Sequence, residues 1–243
     1  MTETIKVSIW RGQRDGAFVD YEVGLRENQT VLDIVTEVQR LHEPSLAYRF
    51  ACRVGVCGSC AMTVNGSPRW TCRTHVQQVV KDGQLKLEPL RHLPVIKDLV
   101  CDLEPFFRKW NRAGGVFKGT RTRHDEIANI SPESKARRAA DAAIECINCA
   151  VCYSACDVVG WDQDYAGPAA LNRVWSLVND ARKEDRKGLL NQAFAEGGCG
   201  SCHSQGNCTR HCPIELSPSA SIASLKRATL LGLPKADAGL NRE

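Results

Sequence analysis

A chain of 243 residues, 43% of them hydrophobic, has the material for one large domain or two small ones and none of the composition of a disordered segment. Its formal net charge of +4, from 32 basic and 28 acidic residues, is scattered instead of forming a basic stripe interleaved with aromatics, which argues against a nucleic-acid binder. Thirteen cysteines are the unusual quantity. The start, Met1-Thr-Glu-Thr-Ile-Lys-Val7, has no basic region followed by an apolar core. No stretch reaches the roughly 18 apolar residues needed to span a bilayer. The expectation is a chain kept in the cytosol or its equivalent, with membrane contact only through partners, and cysteines that ligate metal instead of forming disulfides.

Along the first hundred residues, Ile5, Val7 and Ile9 alternate with polar residues as a half-buried strand does. Phe18, Val19, Tyr21 and Val23 supply its hairpin partner across Arg11-Gly-Gln-Arg-Asp-Gly16. Thr30 and Asp33 form a capping-box-like start for a helix with the apolar stripe Val31, Ile34, Val35, Val38 and Leu41, ending before Pro44. After a cysteine-rich loop, Ala61-Met-Thr-Val64 runs into Asn65-Gly66, a hairpin turn, and Leu85 with Leu87 marks a closing strand. Strand pair, helix, loop and strands predict an N-terminal β-grasp, ferredoxin-like domain over residues 1–105.

From about Pro94 onward Ala, Arg, Lys and Glu replace the β-branched alternation. Ser131-Pro132 and Ser217-Pro218 each set a capping residue before a proline at a first helical position. A connecting segment is expected over 106–130, where Gly114, Gly115 and Gly119 mix with Arg and Lys. Residues 131–243 are expected to form an all-α, two-cluster domain of the bacterial-ferredoxin kind, with cysteines in the loops between helices. The fold class is therefore α+β.

Cys52, Cys57, Cys60 and Cys72 are spaced C-x4-C-x2-C-x11-C. The first two gaps are those of plant-type [2Fe–2S] ferredoxins, whereas a zinc knuckle uses C-x2-C pairs. Gly55 and Gly58 let the loop bring backbone N–H groups close to sulfur. Cys146, Cys149, Cys152 and Cys156 form C-x2-C-x2-C-x3-C, a run whose fourth cysteine serves the other cluster of a two-cluster domain. The required second set is Cys202, Cys208 and Cys212, the last followed by Pro213. By that exchange Cys146, Cys149, Cys152 and Cys212 hold a [4Fe–4S] cluster, leaving Cys156, Cys202 and Cys208. Three ligands suit a [3Fe–4S] cluster, because Gln205 stands where a further thiolate would complete a cubane. Two independent zinc sites would leave the C-x2-C-x2-C run unexplained. Cys101, after Leu99-Val100, reads as a small buried residue. Cys199 keeps two readings, a fourth ligand that makes the third cluster [4Fe–4S] or a bystander thiol.

Five segments, Tyr48-Arg-Phe-Ala-Cys-Arg-Val-Gly-Val-Cys-Gly-Ser-Cys-Ala-Met62, Leu93-Pro-Val-Ile-Lys-Asp-Leu-Val100, Cys146-Ile-Asn-Cys-Ala-Val-Cys152, Gly167-Pro-Ala-Ala170 and Cys202-His-Ser-Gln-Gly-Asn-Cys-Thr-Arg-His-Cys-Pro213, together resemble the iron–sulfur subunit of succinate dehydrogenase and fumarate reductase. The resemblance implies one-electron carriers linking covalently bound FAD in a separate dehydrogenase subunit to quinone at a membrane anchor, which in some members holds haem. The [2Fe–2S] centre would lie nearest flavin and the [3Fe–4S] centre nearest quinone, with the chain peripheral on the cytoplasmic face of the inner (plasma) membrane. It would carry no acid, base or nucleophile for the organic chemistry. By motif position Trp161, His203 and Lys226 match quinone-site residues; on residue chemistry alone they read as a packing indole, a surface imidazole and a solvated ammonium. Asp157 departs from the family, which has proline after the fourth cysteine of the middle run, and an added carboxylate there lowers the potential of a nearby cluster. The competing reading is a soluble iron–sulfur carrier for another flavin dehydrogenase or a heterodisulfide-reductase-like partner.

Overall fold

The computed structural model describes residues 4–231; the first three residues of the stretch read for a leader, and those after 231, lie outside it. The chain divides into two compact units, one of Met1–Pro105 with Ile147–Ala155 and the other of Phe106–Cys146 with Cys156–Glu243.

In the first unit β1 (Thr4–Arg11) pairs antiparallel with β2 (Ala17–Gly24), setting Val7 opposite Tyr21 and Ile9 opposite Val19. Then follow α1 (Val31–Leu41), β3 (Ala61–Val64), β4 (Ser67–Trp70), the single-turn α2 (Val76–Val79) and β5 (Gln84–Glu88). Strand order is β2-β1-β5-β3-β4, with β5 parallel to β1 and antiparallel to β3. The strand expected to close the sheet therefore lies at its centre, where Leu85 and Leu87 are buried. This is the β-grasp arrangement.

Thr30 caps α1 by accepting from Asp33 N while Asp33 accepts from Thr30 N, a reciprocal cap contributing about 1 kcal/mol. Val31, Ile34, Val35 and Val38 pack onto Ile5, Val7, Ile9, Leu85 and Leu87. The stripe stops at Val38, since Leu41 is 72% exposed. Asn65 and Gly66 both take positive φ, +48° and +77°, as a two-residue hairpin twisted to match its strands requires. Pro68 sits in β4, an edge strand, where a missing N–H breaks no ladder.

After β5 come β6 (Val95–Lys97) and β7 (Val100–Cys101), which pair with each other. Between them Asp98 is fully buried, accepts from Gly12 N at 2.7 Å and Ala47 N at 2.8 Å, and pairs with Arg11 Nε at 3.1 Å. Burial pushes its carboxyl up, but the two N–H groups and the guanidinium outweigh that and hold it below the usual carboxylate range. Leu99 N donates to Ala47 O and Arg49 Nη1 donates to Cys101 O, so the chain entering the first cysteine loop is pinned along its length.

The second unit begins in α3 (Glu104–Arg112), and its 118–120 segment bonds to 182–184, with Thr120 N donating to Arg182 O and Glu184 N to Lys118 O. The next helix is α4 (Lys135–Ile144). It starts after Ser134, whose side chain accepts from Arg137 N, and not at the expected Ser131-Pro132. α5 (Val151–Ser154) belongs to the first unit; α6 (Asp157–Trp161), α7 (Pro168–Val178), α8 (Arg186–Phe194), α9 (Asn207–Arg210) and α10 (Pro218–Leu231) complete the second. The start of α10 falls at the expected Ser217-Pro218.

α7 is the axis of this unit. Gly167 at φ +90° turns the chain into Pro168, and Ala169, Ala170, Leu171, Val174, Leu177 and Val178 are all buried. Small residues here and at Ala140 and Ala143 of α4 let the helices approach closely, while Ile222 and Leu225 of α10 fill the other side. No helix among the described residues is long and apolar enough to cross a membrane.

Candidate metal centres

The first cysteine group lies in the loop between α1 and β3 and in the 3-10 turn Thr71–Arg73. Cys60 and Cys72 are buried, Cys52 is half-buried and Cys57 is exposed. Cys52 Sγ accepts from Val56 N at 3.3 Å and Val54 N at 3.5 Å, and with Cys57 alongside these bonds bring its thiol down to about 6. N–H groups aimed at the sulfur favour the thiolate form that binds metal. Cys72 N donates to Cys60 Sγ at 3.5 Å. Burial, then Cys60, and with them Cys52, push the Cys72 thiol up to about 12. Cys60 and Cys52 thus raise the cost of ionising Cys72, a repulsion that a cationic iron–sulfur core would reverse.

The loop reaches this shape through left-handed backbone at Arg53, Gly55 and Gly58, at φ +59°, +76° and +71°. A Cβ on Gly55 would meet Arg73 Cγ at 2.9 Å and the Trp70 ring at 3.1 Å. On Gly58 it would stand 2.4 Å from Cys149 Cβ. Gly58 thus lies directly against the second cysteine group, and Arg91 N donating to the buried Ser154 Oγ at 2.8 Å fastens the same segment. Spacing alone carried no sign of this contact, because it joins residues far apart in sequence.

Cys149 and Cys152 belong to the first unit, with Cys152 on α5, while Cys146 and Cys212 belong to the second. Asn148 and Ala150 hold φ of +54° and +61° between the cysteines. Asparagine tolerates that region; alanine pays for it, a local strain of the kind concentrated at functional sites. The expectation of cysteines in loops fails at Cys152, and again at Cys208, which lies within α9.

The third group is Cys156, which caps α6, with Cys202 and Cys208. Burial raises the Cys156 thiol, the N–H groups of Val159 and Val158 lower it, and Cys202 and then Asp157 raise it again. Cys208 is pushed up to about 11 by burial, then by Cys156 and Cys202. Ser204 N donates to Cys202 Sγ at 3.4 Å. Gln205 is exposed in the loop between Cys202 and Cys208. Cys199, fully buried in the turn Cys199–Ser201, is raised by burial, lowered by Lys226 and raised by Cys202. Cys101 is buried and its thiol donates to Leu90 O, in keeping with a structural residue.

Trp161 is 59% exposed, and its ring meets that of His203 edge-on at 5.8 Å and 81°. Lys226 Nζ donates to Cys202 O at 2.7 Å. The three side chains matched to a quinone site are therefore gathered around the Cys202 loop. One residue the motifs did not mark joins them: Tyr165, fully buried, feels the Cys202, Cys156 and Cys208 thiols.

Residues 4–108 match the 2Fe-2S iron-sulfur cluster binding domain family, and 142–216 match the 4Fe-4S dicluster domain family. The fumarate reductase iron-sulfur subunit of Mycobacterium tuberculosis is 35% identical over 91% of this chain and 90% of its own length. The succinate dehydrogenase [ubiquinone] iron-sulfur subunit 1, mitochondrial, of Oryza sativa is 34% identical over 87% of this chain and 75% of its own. The solved Mycobacterium smegmatis Sdh1 complex in the apo form contains a chain that superposes with a TM-score of 0.84 at 27% identity, covering 97% of this chain and all of that one. These relatives favour the dehydrogenase-subunit reading over the soluble carrier, and with the family come its [2Fe–2S], [4Fe–4S] and [3Fe–4S] clusters. The chain belongs to the iron–sulfur subunits of succinate dehydrogenase and fumarate reductase, and is the electron-transfer subunit of an oxidoreductase complex.

Proposed function

We propose that this chain passes electrons one at a time between FAD in a flavoprotein dehydrogenase subunit and quinone at a membrane anchor subunit, which holds the chain peripherally on the cytoplasmic face of the inner membrane. Cys52, Cys57, Cys60 and Cys72 hold the [2Fe–2S] cluster. Cys146, Cys149, Cys152 and Cys212 hold the [4Fe–4S] cluster, and Cys156, Cys202 and Cys208 the [3Fe–4S] cluster. The clusters supply reversible one-electron chemistry; the protein supplies ligation, backbone N–H bonds to sulfur and exclusion of water.

The observation that carries the quinone arm is the grouping of Trp161, His203 and Lys226 on the Cys202 loop. Quinone reduction consumes two electrons and two protons. His203 and Lys226 are proton-bearing side chains beside the last electron donor, and the exposed indole offers a flat apolar face. On the flavoprotein side, Phe50, Val54 and Val56 stand exposed in the chain segment that carries Cys57, with the Arg53 guanidinium 4.5 Å above the Phe50 ring. An exposed apolar rim with one planar cation suits a subunit interface.

The test is purification in mild detergent through a tag on this chain, followed by succinate-dependent reduction of a soluble quinone analogue. A flavin-bearing subunit and an anchor are expected to co-purify, and quinone to be reduced. Full cluster content without quinone reduction would remove the quinone arm and leave the electron-transfer subunit standing.

A further inference from the structure

Tyr165 lies in the loop between α6 and α7, and its backbone is tied down. Its N–H donates to Asp162 O at 3.3 Å and Asp162 Oδ1 at 3.1 Å, and Ala166 N donates to Gly197 O at 2.7 Å. The ring is fully buried. The hydroxyl, in contrast, makes no bond to an oxygen or nitrogen among the described residues, and the one side chain it feels as a bonding partner is Cys202. An unmade bond at a buried hydroxyl is destabilising, and phenylalanine would fill the same volume without that cost. The charges this hydroxyl meets are the thiols of Cys202, Cys156 and Cys208, all within the second unit. A buried O–H that no oxygen or nitrogen accepts, with Cys202 first among the charges it feels, is placed to donate to sulfur.

We propose that Tyr165 donates its hydroxyl hydrogen bond to sulfur at the third cluster, on the Cys202 side, and thereby holds that cluster's reduction potential up. The proposal rests on the reading of Cys156, Cys202 and Cys208 as the ligands of that cluster. A donor to sulfur stabilises the electron-richer reduced state more than the oxidised one, and more strongly in a dry interior than in water. One electron enters and leaves while the phenol keeps its proton, so the hydroxyl shifts the equilibrium without joining the electron path. It acts against Asp157, whose carboxylate raises the neighbouring Cys156 thiol and favours the oxidised state.

The test is Tyr165→Phe in the assembled complex, redox-titrated through the oxidised three-iron EPR signal and examined by proton ENDOR on the same signal. At fixed ambient potential the reduced-to-oxidised ratio of the third cluster is expected to fall about tenfold, equivalent to about 59 mV for a one-electron couple. One strongly coupled proton is expected to disappear, while the [2Fe–2S] titration stays in place. An unmoved third-cluster potential with an unchanged proton spectrum overturns the proposal. If the variant fails to assemble, ENDOR on the unmodified complex decides: a strongly coupled proton that is absent from a Tyr165→Trp or Tyr165→Leu complex supports it, and no such proton in the unmodified complex overturns it. Absence of any three-iron signal from the unmodified complex removes the ligand reading, and the proposal with it, and is told apart from the first failure by that missing signal.

Discussion

Replacing Cys57 with alanine is expected to erase the [2Fe–2S] EPR signal of the reduced complex, abolish quinone reduction, and leave the other two clusters in place. Cys57 is the exposed member of its group, so its side chain supports little packing and the variant should retain its fold. What the substitution removes is one of four thiolates and the bond by which Cys57 helps to lower the Cys52 thiol. The backbone of the loop, including Gly58 against Cys149, is untouched, which is why the second cluster survives. Loss of all three signals from Cys57→Ala would contradict the independence of these ligand sets. EPR of dithionite-reduced and oxidised samples, with iron quantified on the same preparation, reads both outcomes.

Gly58→Ala is expected to do the opposite, disturbing two clusters while removing no ligand. At φ +71° a residue with a Cβ pays roughly 1–2 kcal/mol in backbone strain. That Cβ would also stand 2.4 Å from Cys149 Cβ and 2.9 Å from its Cα, and relieving such overpacking costs about 1–3 kcal/mol more. Neither partner yields easily, because Gly58 lies between the ligands Cys57 and Cys60 and Cys149 is itself a ligand in the proposed sets. A lowered thermal midpoint together with altered [2Fe–2S] and [4Fe–4S] signals is the expected result. Gly55→Ala is the comparison: its Cβ would press on Arg73 and Trp70, so only the first cluster should change. Wild-type spectra from Gly58→Ala would contradict the close approach of the two groups.

What the chain discloses in sequence and what it withholds divide along a physical line. The β1–β2 hairpin, the Thr30–Asp33 cap and the Asn65-Gly66 turn were legible because each is a local device, with donor, acceptor and dihedral preference within a few residues. The central position of β5 was not, since its parallel pairing with β1 is made only across a long crossover. At the start of α4 two serines competed locally, and the one whose side chain meets Arg137 N prevailed over Ser131-Pro132. Leu41 continues the helical period but is the last residue of α1, where it stands exposed.

The site divides in the same way. Cysteine spacing announces ligand chemistry, because a cluster demands fixed gaps. It gives no sign that Ile147–Ala155 packs within the first unit, or that Gly58 meets Cys149, because those depend on tertiary packing. Nor does Tyr165 announce itself: a tyrosine before Ala166-Gly167-Pro168 reads as ordinary core, and only its buried hydroxyl, which no oxygen or nitrogen accepts and which feels Cys202 first, marks it.

The most direct test of the whole account is iron content combined with EPR on the anaerobically purified complex. The ligand sets give about nine iron atoms per chain, a three-iron signal in the oxidised sample, and a [2Fe–2S] signal on reduction. About ten irons with no three-iron signal would contradict the third ligand set and bring Cys199 into it. Zinc in place of iron would contradict the account as a whole.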